Sequence, residues 1–239
     1  MSQTKSQEDV PYFLQMQIKV FTKWLNKYLK EAKESITDLQ KEFEDGVKLI
    51  KLAEVLTGKA ISRYIKNPKM RIQKIQNLNL ALKHLQTEKK IKLIGVSSEN
   101  FIDGNLKMIL GCIWEIILKC SIEEISVDKV KGKEALLLWC QKQTHEYKNV
   151  NVTDFTSSWK DGLALAAILN QNEPSMVQFN FLDPKNESEN FMVVFEAADQ
   201  LGIYQMLDVE DMLVDVLDEK AMMVYLAEYY HFFTNREKK

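Results

Sequence analysis

Glycine and proline are scarce in this chain of 239 residues, at 8 and 4. A sheet protein with many tight turns needs more of both, so the scarcity favours long helices. Cysteine is also rare. Cys112, Cys120 and Cys140 are odd in number, form no Cys-x-x-Cys pair and sit inside apolar helical patterns. They read as buried thiols rather than a disulfide framework or a zinc site. The three histidines, His84, His145 and His231, are too far apart for a metal-ligand pair at helical spacing. No apolar run reaches the length of a membrane span, and the near-apolar stretch 108–118 contains Glu115. The opening residues are polar and lack the apolar centre of a signal peptide. A cytoplasmic location is therefore expected, and the glycosylation sequons at Asn151 and Asn186 carry no weight. Phosphate-cradling glycine loops and a Gly-x-Ser-x-Gly elbow are missing too. The acidic stretches 183–194 and 208–219 lack the central glycine of a calcium loop. The expectation is a chain with no catalytic residue, no metal and no cofactor.

What is present is a good core and an uneven charge. Hydrophobic residues make up 46% and charged residues 28%, enough apolar side chains for packed domains. The net charge of −2 hides a division: residues 1–120 hold 21 Lys+Arg against 13 Asp+Glu, and residues 121–239 hold 11 against 21. A half at +8 and a half at −10 suit different partners, or each other.

Helical periodicity begins near Pro11 after a polar tail over 1–11. Leu14, Ile18, Phe21, Leu25, Tyr28 and Leu29 fall on one arc, and Lys19, Lys23, Lys27 and Lys30 on the opposite one. That basic stripe is either a solvated face or a contact for an acidic surface. It has no interleaved aromatics, which argues against nucleic acid. Further helices are predicted over 45–56 and 75–85, with a basic loop over 63–74 marked by Asn67-Pro68. The pattern over 103–120 is apolar nearly all round and should be a central helix. Residues 121–133 lose that density and read as a short linker that could be partly helical.

The same pattern then recurs. Trp24 precedes Asp45-Gly46 as Trp139 precedes Asp161-Gly162, and Phe43-Glu-Asp-Gly-Val-Lys-Leu matches Trp159-Lys-Asp-Gly-Leu-Ala-Leu. Asn77-Leu-Asn-Leu-Ala-Leu matches Asn190-Phe-Met-Val-Val-Phe, and the apolar helix after Lys107 matches the one after Lys220. These anchors keep their order and a nearly constant offset, so the chain is a duplication: one domain over 12–120 and a second over 134–239. Asp45 and Asp161 are suited to cap amide groups at the start of the helix that follows, with Gly46 and Gly162 giving the turn. Trp24 and Trp139 are expected core anchors.

These duplicated motifs resemble the calponin-homology domain, and two in tandem are similar to the actin-binding domain of the alpha-actinin family, with filamin and spectrin as further relatives. The strings Ile102-Asp-Gly-Asn-Leu-Lys-Met, Leu136-Leu-Leu-Trp-Cys-Gln-Lys and Tyr147-Lys-Asn-Val-Asn-Val carry the alpha-actinin likeness. The fold class implied is all-α, two calponin-homology domains joined by the linker. The function implied is binding of filamentous actin in a cytoskeletal crosslinking protein; a tandem module for another cytoskeletal or signalling partner is the alternative. Three contact segments follow from the resemblance, about 17–26, 92–120 and 134–152, with 69–74 as a further basic contact. The residues singled out within them are Lys19, Phe21, Lys23, Lys27, Lys69, Met70, Arg71, Lys74, Lys107, Met108, Leu138, Lys142, Tyr147 and Lys148. The basic first domain should supply most contacts and the acidic second domain should support or regulate it, with Trp114 and Lys220 as an interdomain latch. The family's lipid control uses basic residues where this chain reads Asn170-Gln-Asn-Glu-Pro, so phosphoinositide binding is doubtful. Crosslinking would require dimerisation or a portion beyond this segment.

Overall fold

The computed structural model describes residues 10–236, so most of the expected polar tail lies outside the described residues. Ten α-helices carry the described chain: α1 (Tyr12–Leu29), α2 (Val47–Thr57), α3 (Arg71–Glu88), α4 (Ser98–Ile102), α5 (Leu106–Ile117), α6 (Gly132–Thr144), α7 (Leu163–Asn172), α8 (Glu187–Leu201), α9 (Val209–Met212) and α10 (Glu219–Arg236). Two compact units result. The smaller is Phe21–Cys120; the larger is Ser121–Lys239 together with the chain up to Val20. The opening of α1 thus groups with the larger unit and the rest of that helix with the smaller one.

In the smaller unit, α5 is the central helix that its apolar circumference predicted. Ile109, Cys112, Ile113, Ile116 and Ile117 are all fully buried. Around it Phe21, Trp24, Leu25 and Leu29 fill one side, and Phe43 meets Phe101 edge to face at 6.4 Å. In the larger unit α10 has the same place, buried without interruption from Ala221 to Tyr229. The buried Tyr225 and Tyr229 hydroxyls are 3.2 Å apart and satisfy each other. Trp139 meets Tyr230 edge to face at 5.5 Å. Cys112 and Cys140 are buried thiols; Cys120, past the end of α5 at Ile117, is half-buried.

The linker, expected to be partly helical, is helical only at its two ends. The chain leaves α5 through a π-type turn, Leu118–Ile122, and then forms a small antiparallel hairpin. Its strands β1 (Ser126–Val127) and β2 (Val130–Lys131) pair Val127 with Val130. Asp128 and Lys129 between them have φ of +48° and +71°, which no helix accommodates. The β-branched Val127 and Val130 suit the pleat.

The basic segment 63–74 departs from its reading. α3 begins at Arg71, so Arg71 and Lys74 sit in a first helical turn rather than a loop. The cause is Gln73, whose side-chain oxygen accepts the Lys69 and Met70 amides at 2.7 and 3.0 Å and starts the helix early.

The duplicated motif forms the same joint in both units. Asp45 accepts the Val47 amide at 2.8 Å and Asp161 accepts the Leu163 amide at 2.9 Å. Gly46 and Gly162 follow with φ of +76° and +77°. Asn77 is fully buried in α3 and donates to the carbonyls of Asp45 and Ile65 at 3.1 and 2.8 Å, while accepting the Ile65 amide at 2.9 Å. Asn190 donates to the carbonyls of Asp161 and Asp183 at 2.7 and 2.8 Å. The helices approach so closely that a Cβ on Gly46 would lie 2.8 Å from Asn77 Cβ, and one on Gly162 2.9 Å from Asn190 Cβ.

Glycine-to-alanine substitutions should therefore rank by position. Gly46→Ala and Gly162→Ala combine a left-handed backbone with a displaced helix and should destabilise by roughly 2–4 kcal/mol. Gly58→Ala and Gly202→Ala share the positive φ but meet nothing within 4 Å, and should cost about 1 kcal/mol. Thermal denaturation of the four variants checks the order; equal losses would contradict the close approach.

Candidate functional site

The expected contact residues fall into two groups, one in each unit. In the smaller unit, Lys69 and Met70 precede α3, and Met70 is 57% exposed. Arg71 in the first turn pairs with Asp103 at 2.9 Å. Asp103 closes α4, and Gly104 and Asn105 follow at once. Asn105 accepts the Met108 amide at 3.3 Å and opens α5, where Lys107 is exposed and Met108 half-buried. Gln40 steadies this corner by donating to the Gly104 carbonyl at 2.9 Å. The segments 69–74 and 92–120, far apart in sequence, thus meet on one face. Lys74 also belongs to it, held by Glu44 at 2.5 Å.

On α1 the lysine stripe divides. Lys27 is exposed, its ammonium 6.0 Å from the Tyr28 ring, and Lys23 is half-buried. Lys19 lies in the larger unit, where Asp208 and Asp211 grip its ammonium, the latter at 2.5 Å. Burial opposes its charge, but the two carboxylates outweigh that and raise its pKa. Gln17 beside it donates to Asp218 at 2.7 Å. Lys19 is therefore no simple solvated lysine.

Phe21 requires a correction. It was named as an apolar contact for a partner, yet it is fully buried and its ring stacks on Trp114 at 6.2 Å. The arc that placed it among core residues decides the matter: a side chain at the centre of a buried stripe offers nothing to a partner. Trp114 is likewise a buried residue, 9% exposed, and Lys220 lies in the first turn of α10.

In the larger unit, Leu138 is half-buried on α6 and Lys142 is exposed but paired with Asp128 of the hairpin. Tyr147 donates to Asn170 at 2.8 Å and meets Phe179 edge to face at 4.7 Å, with the exposed Lys148 beside it. These last residues line an open groove of about 490 Å³. A second groove, about 680 Å³, lies between Tyr12, Phe13 and residues 213–217.

Neither groove collects a convergent set of titratable groups, and among the described residues no three His, Cys, Asp or Glu side chains are placed to hold a metal ion. The displaced pKa values belong to structural groups. Burial opposes ionisation of Glu42, but Lys48, the Thr37 and Asp38 amides and the Thr37 hydroxyl overcome it and hold the carboxyl at about 2. Asp154 is likewise held at about 2: burial is outweighed by the Ser157 hydroxyl and the Ser158 and Thr156 amides. Asp161 goes the other way, raised by burial against the pull of the Leu163 amide.

Of the exposed apolar side chains on the smaller unit, sequence reasoning named Met70 and missed the others. Among its described residues Met70, Ile72, Leu80 and Ile94 are the large ones exposed, and Ile94 is 87% exposed. The available signal was Gly95, whose φ of +72° turns the chain directly after Ile94.

A family model for the calponin homology (CH) domain matches residues 15–122 and again 131–235. Alpha-actinin A of Dictyostelium discoideum is 42% identical over 225 residues, covering 93% of this chain and 26% of that protein. Human alpha-actinin-3 is 42% identical over 230 residues, covering 95% and 25%. The chain thus spans about a quarter of the length of these relatives. The crystal structure of the actin-crosslinking core of Schizosaccharomyces pombe fimbrin superposes with a TM-score of 0.74 at 17% identity, over 94% of this chain and 50% of that one. That likeness is one of fold.

The pKa displacements predict opposite responses to acid. Glu42 and Asp154 have folded values below their unfolded ones, so their stabilisation is present above about pH 4–5 and is lost as pH falls towards 2. Asp161 has a raised folded value, so its charge weakens the fold at neutral pH and protonation relieves it. Asp161→Asn keeps the capping oxygen without the charge and should have a Tm at pH 7 no lower than the parent. Glu42→Gln should lose about 2 kcal/mol at pH 7 and flatten the acid dependence. Thermal denaturation from pH 2 to pH 7 measures both.

Proposed function

Because the chain belongs to the calponin homology (CH) domain family and carries the domain twice, we propose that it is an actin-filament-binding module, resembling that of alpha-actinin, at the actin cytoskeleton. The observation that carries this reading is the face of the smaller unit where Lys69, Met70, Arg71, Lys107 and Met108 come together through the Arg71–Asp103 contact. That unit, Phe21–Cys120, has 19 Lys+Arg against 11 Asp+Glu. A basic face of this kind steers towards an acidic filament and fixes orientation.

The ion pairs grade the contributions. Arg71 and Lys74 already have carboxylate partners, so part of their attraction to a filament is spent on exchanging them. Lys69 and Lys107 are exposed and should matter more per charge. In the larger unit the carboxylates of Asp208, Asp211 and Asp218 hold the opening of α1 through Lys19 and Gln17. This supports a second domain that braces the binding helix and tunes it, with fewer filament contacts of its own than the first. Crosslinking would then take a second filament site, on another copy or elsewhere in a longer protein.

High-speed co-sedimentation with filamentous actin tests the reading. The chain should pellet with filaments at low salt and progressively less as ionic strength rises. Lys69→Glu and Lys107→Glu should each weaken binding by about fivefold, near 1 kcal/mol, while Lys148→Glu changes it by less than about twofold. No pelleting at low salt would overturn the proposal.

A further inference from the structure

The larger unit leaves an apolar hollow open at its surface. It lies between the first turn of α1 and the segment joining α9 to α10, with a volume of about 680 Å³. Tyr12, Phe13, Leu213 and Val216 line it and are all exposed, Phe13 at 51% and Val216 at 74%. Leu217 in the same wall is buried and fixes the segment. Leu213 is also a wall of a second hollow, about 340 Å³, formed with residues 185–189 at the start of α8. A single exposed apolar side chain calls for no explanation, but four around one hollow do.

The charge around these hollows is mostly negative. Burial raises the Tyr12 pKa, and the Asp211 and Glu210 charges add to that against the opposing pull of Lys19. Asp211 is committed to Lys19, together with Asp208. Asp215 in the first hollow and Glu187 and Glu189 in the second are exposed, and among the described residues none of the three has an ion pair. Lys185 is the one cation in the two walls. Residues 2–9 contain no apolar side chain, so the chain's own opening has no group suited to the hollow.

We propose that the two hollows astride Leu213 dock a basic amphipathic helix of a partner protein. Its apolar side chains enter on either side of Leu213, and its lysines or arginines face Asp215, Glu187 and Glu189. A helix suits the shape because side chains three and four positions apart lie about 5–6 Å from one another, near the width of the one side chain that divides the hollows. Charge complementarity selects the partner and speeds its arrival, and apolar burial holds it. None of these residues belongs to the basic face proposed for the filament, so the inference goes beyond that reading.

The probe is a fluorescein-labelled peptide of about 14 residues, with leucine at i, i+3, i+4 and i+7 spacing and lysine elsewhere, followed by fluorescence anisotropy. It should bind the parent chain about tenfold more tightly than a peptide of the same composition shuffled to break the apolar face. The version with glutamate for lysine should not bind. Leu213→Ser and Val216→Ser should each weaken the probe by about fivefold, and Asp215→Lys by about threefold. Phe181→Ser alters an 84% exposed ring outside both hollows and should bind as the parent does. Circular dichroism should show all four variants folded, since each side chain is exposed. Equal binding of the ordered and shuffled peptides would overturn the inference, by reducing the attraction to charge alone. So would parental affinity in both Leu213→Ser and Val216→Ser, or an equal loss in Phe181→Ser. Val216→Ser should pellet with filamentous actin as the parent does, and the parent should sediment as a monomer. A loss of pelleting in that variant, or a self-association of the parent that the variant abolishes, would overturn the inference by placing actin or a second copy in the hollow.

Discussion

The side-chain amide of Asn77 joins two pieces of the smaller unit that apolar contacts alone would let slide. It bridges the carbonyls of Asp45 and Ile65 from the middle of α3, in a place fully shielded from water. A buried amide left unsatisfied costs about 1–3 kcal/mol, so any displacement of α3 against the start of α2 breaks more than packing. The glycine opposite enforces the same register sterically, because any side chain on Gly46 would strike Asn77. Asn190 and Gly162 repeat this in the larger unit. Each domain is thus keyed at one point by a hydrogen-bonded amide and a missing side chain.

The basic face depends on that key. α3 is held in register by Asn77, and its first turn presents Arg71 to Asp103. Asp103 stands at the entry to α5, and so the two basic segments share a face only because α3 and α5 are both fixed relative to α2 and α4. A slip of α3 by one residue would turn Arg71 about 100° around the helix axis and separate the segments. The function proposed for this face therefore rests on a contact almost two turns further along α3.

The duplicated key was legible because it is written in residue identities that few other roles require. Asp-Gly before an apolar run, and an Asn inside the next helix pattern, occur twice at matching spacing. The apolar circumference of 103–120 likewise announced a central helix. The start of α3 was not legible from periodicity, since a side-chain cap from Gln73, rather than an apolar repeat, sets it. The hairpin after α5 was missed because two-residue strands are too short to show alternation. Phe21 shows a different limit: its position on the apolar arc was readable, and resemblance to a binding segment overrode it. The pairing of Lys19 with Asp208 and Asp211 joins residues nearly two hundred positions apart, which no local pattern records.

The key also explains how two copies of one fold can differ so much in charge. Its hydrogen bonds run from an asparagine side chain to backbone carbonyls, and a carbonyl is present whatever side chain the residue bears. Around it the core needs only apolar side chains of suitable volume, such as Phe43 in one copy and Trp159 in the other. Surface positions are left unconstrained by the fold. The first half could accumulate lysines to +8 and the second carboxylates to −10 without disturbing either core. Charge can thus diverge at constant fold, because neither the key nor the core constrains what the surface carries.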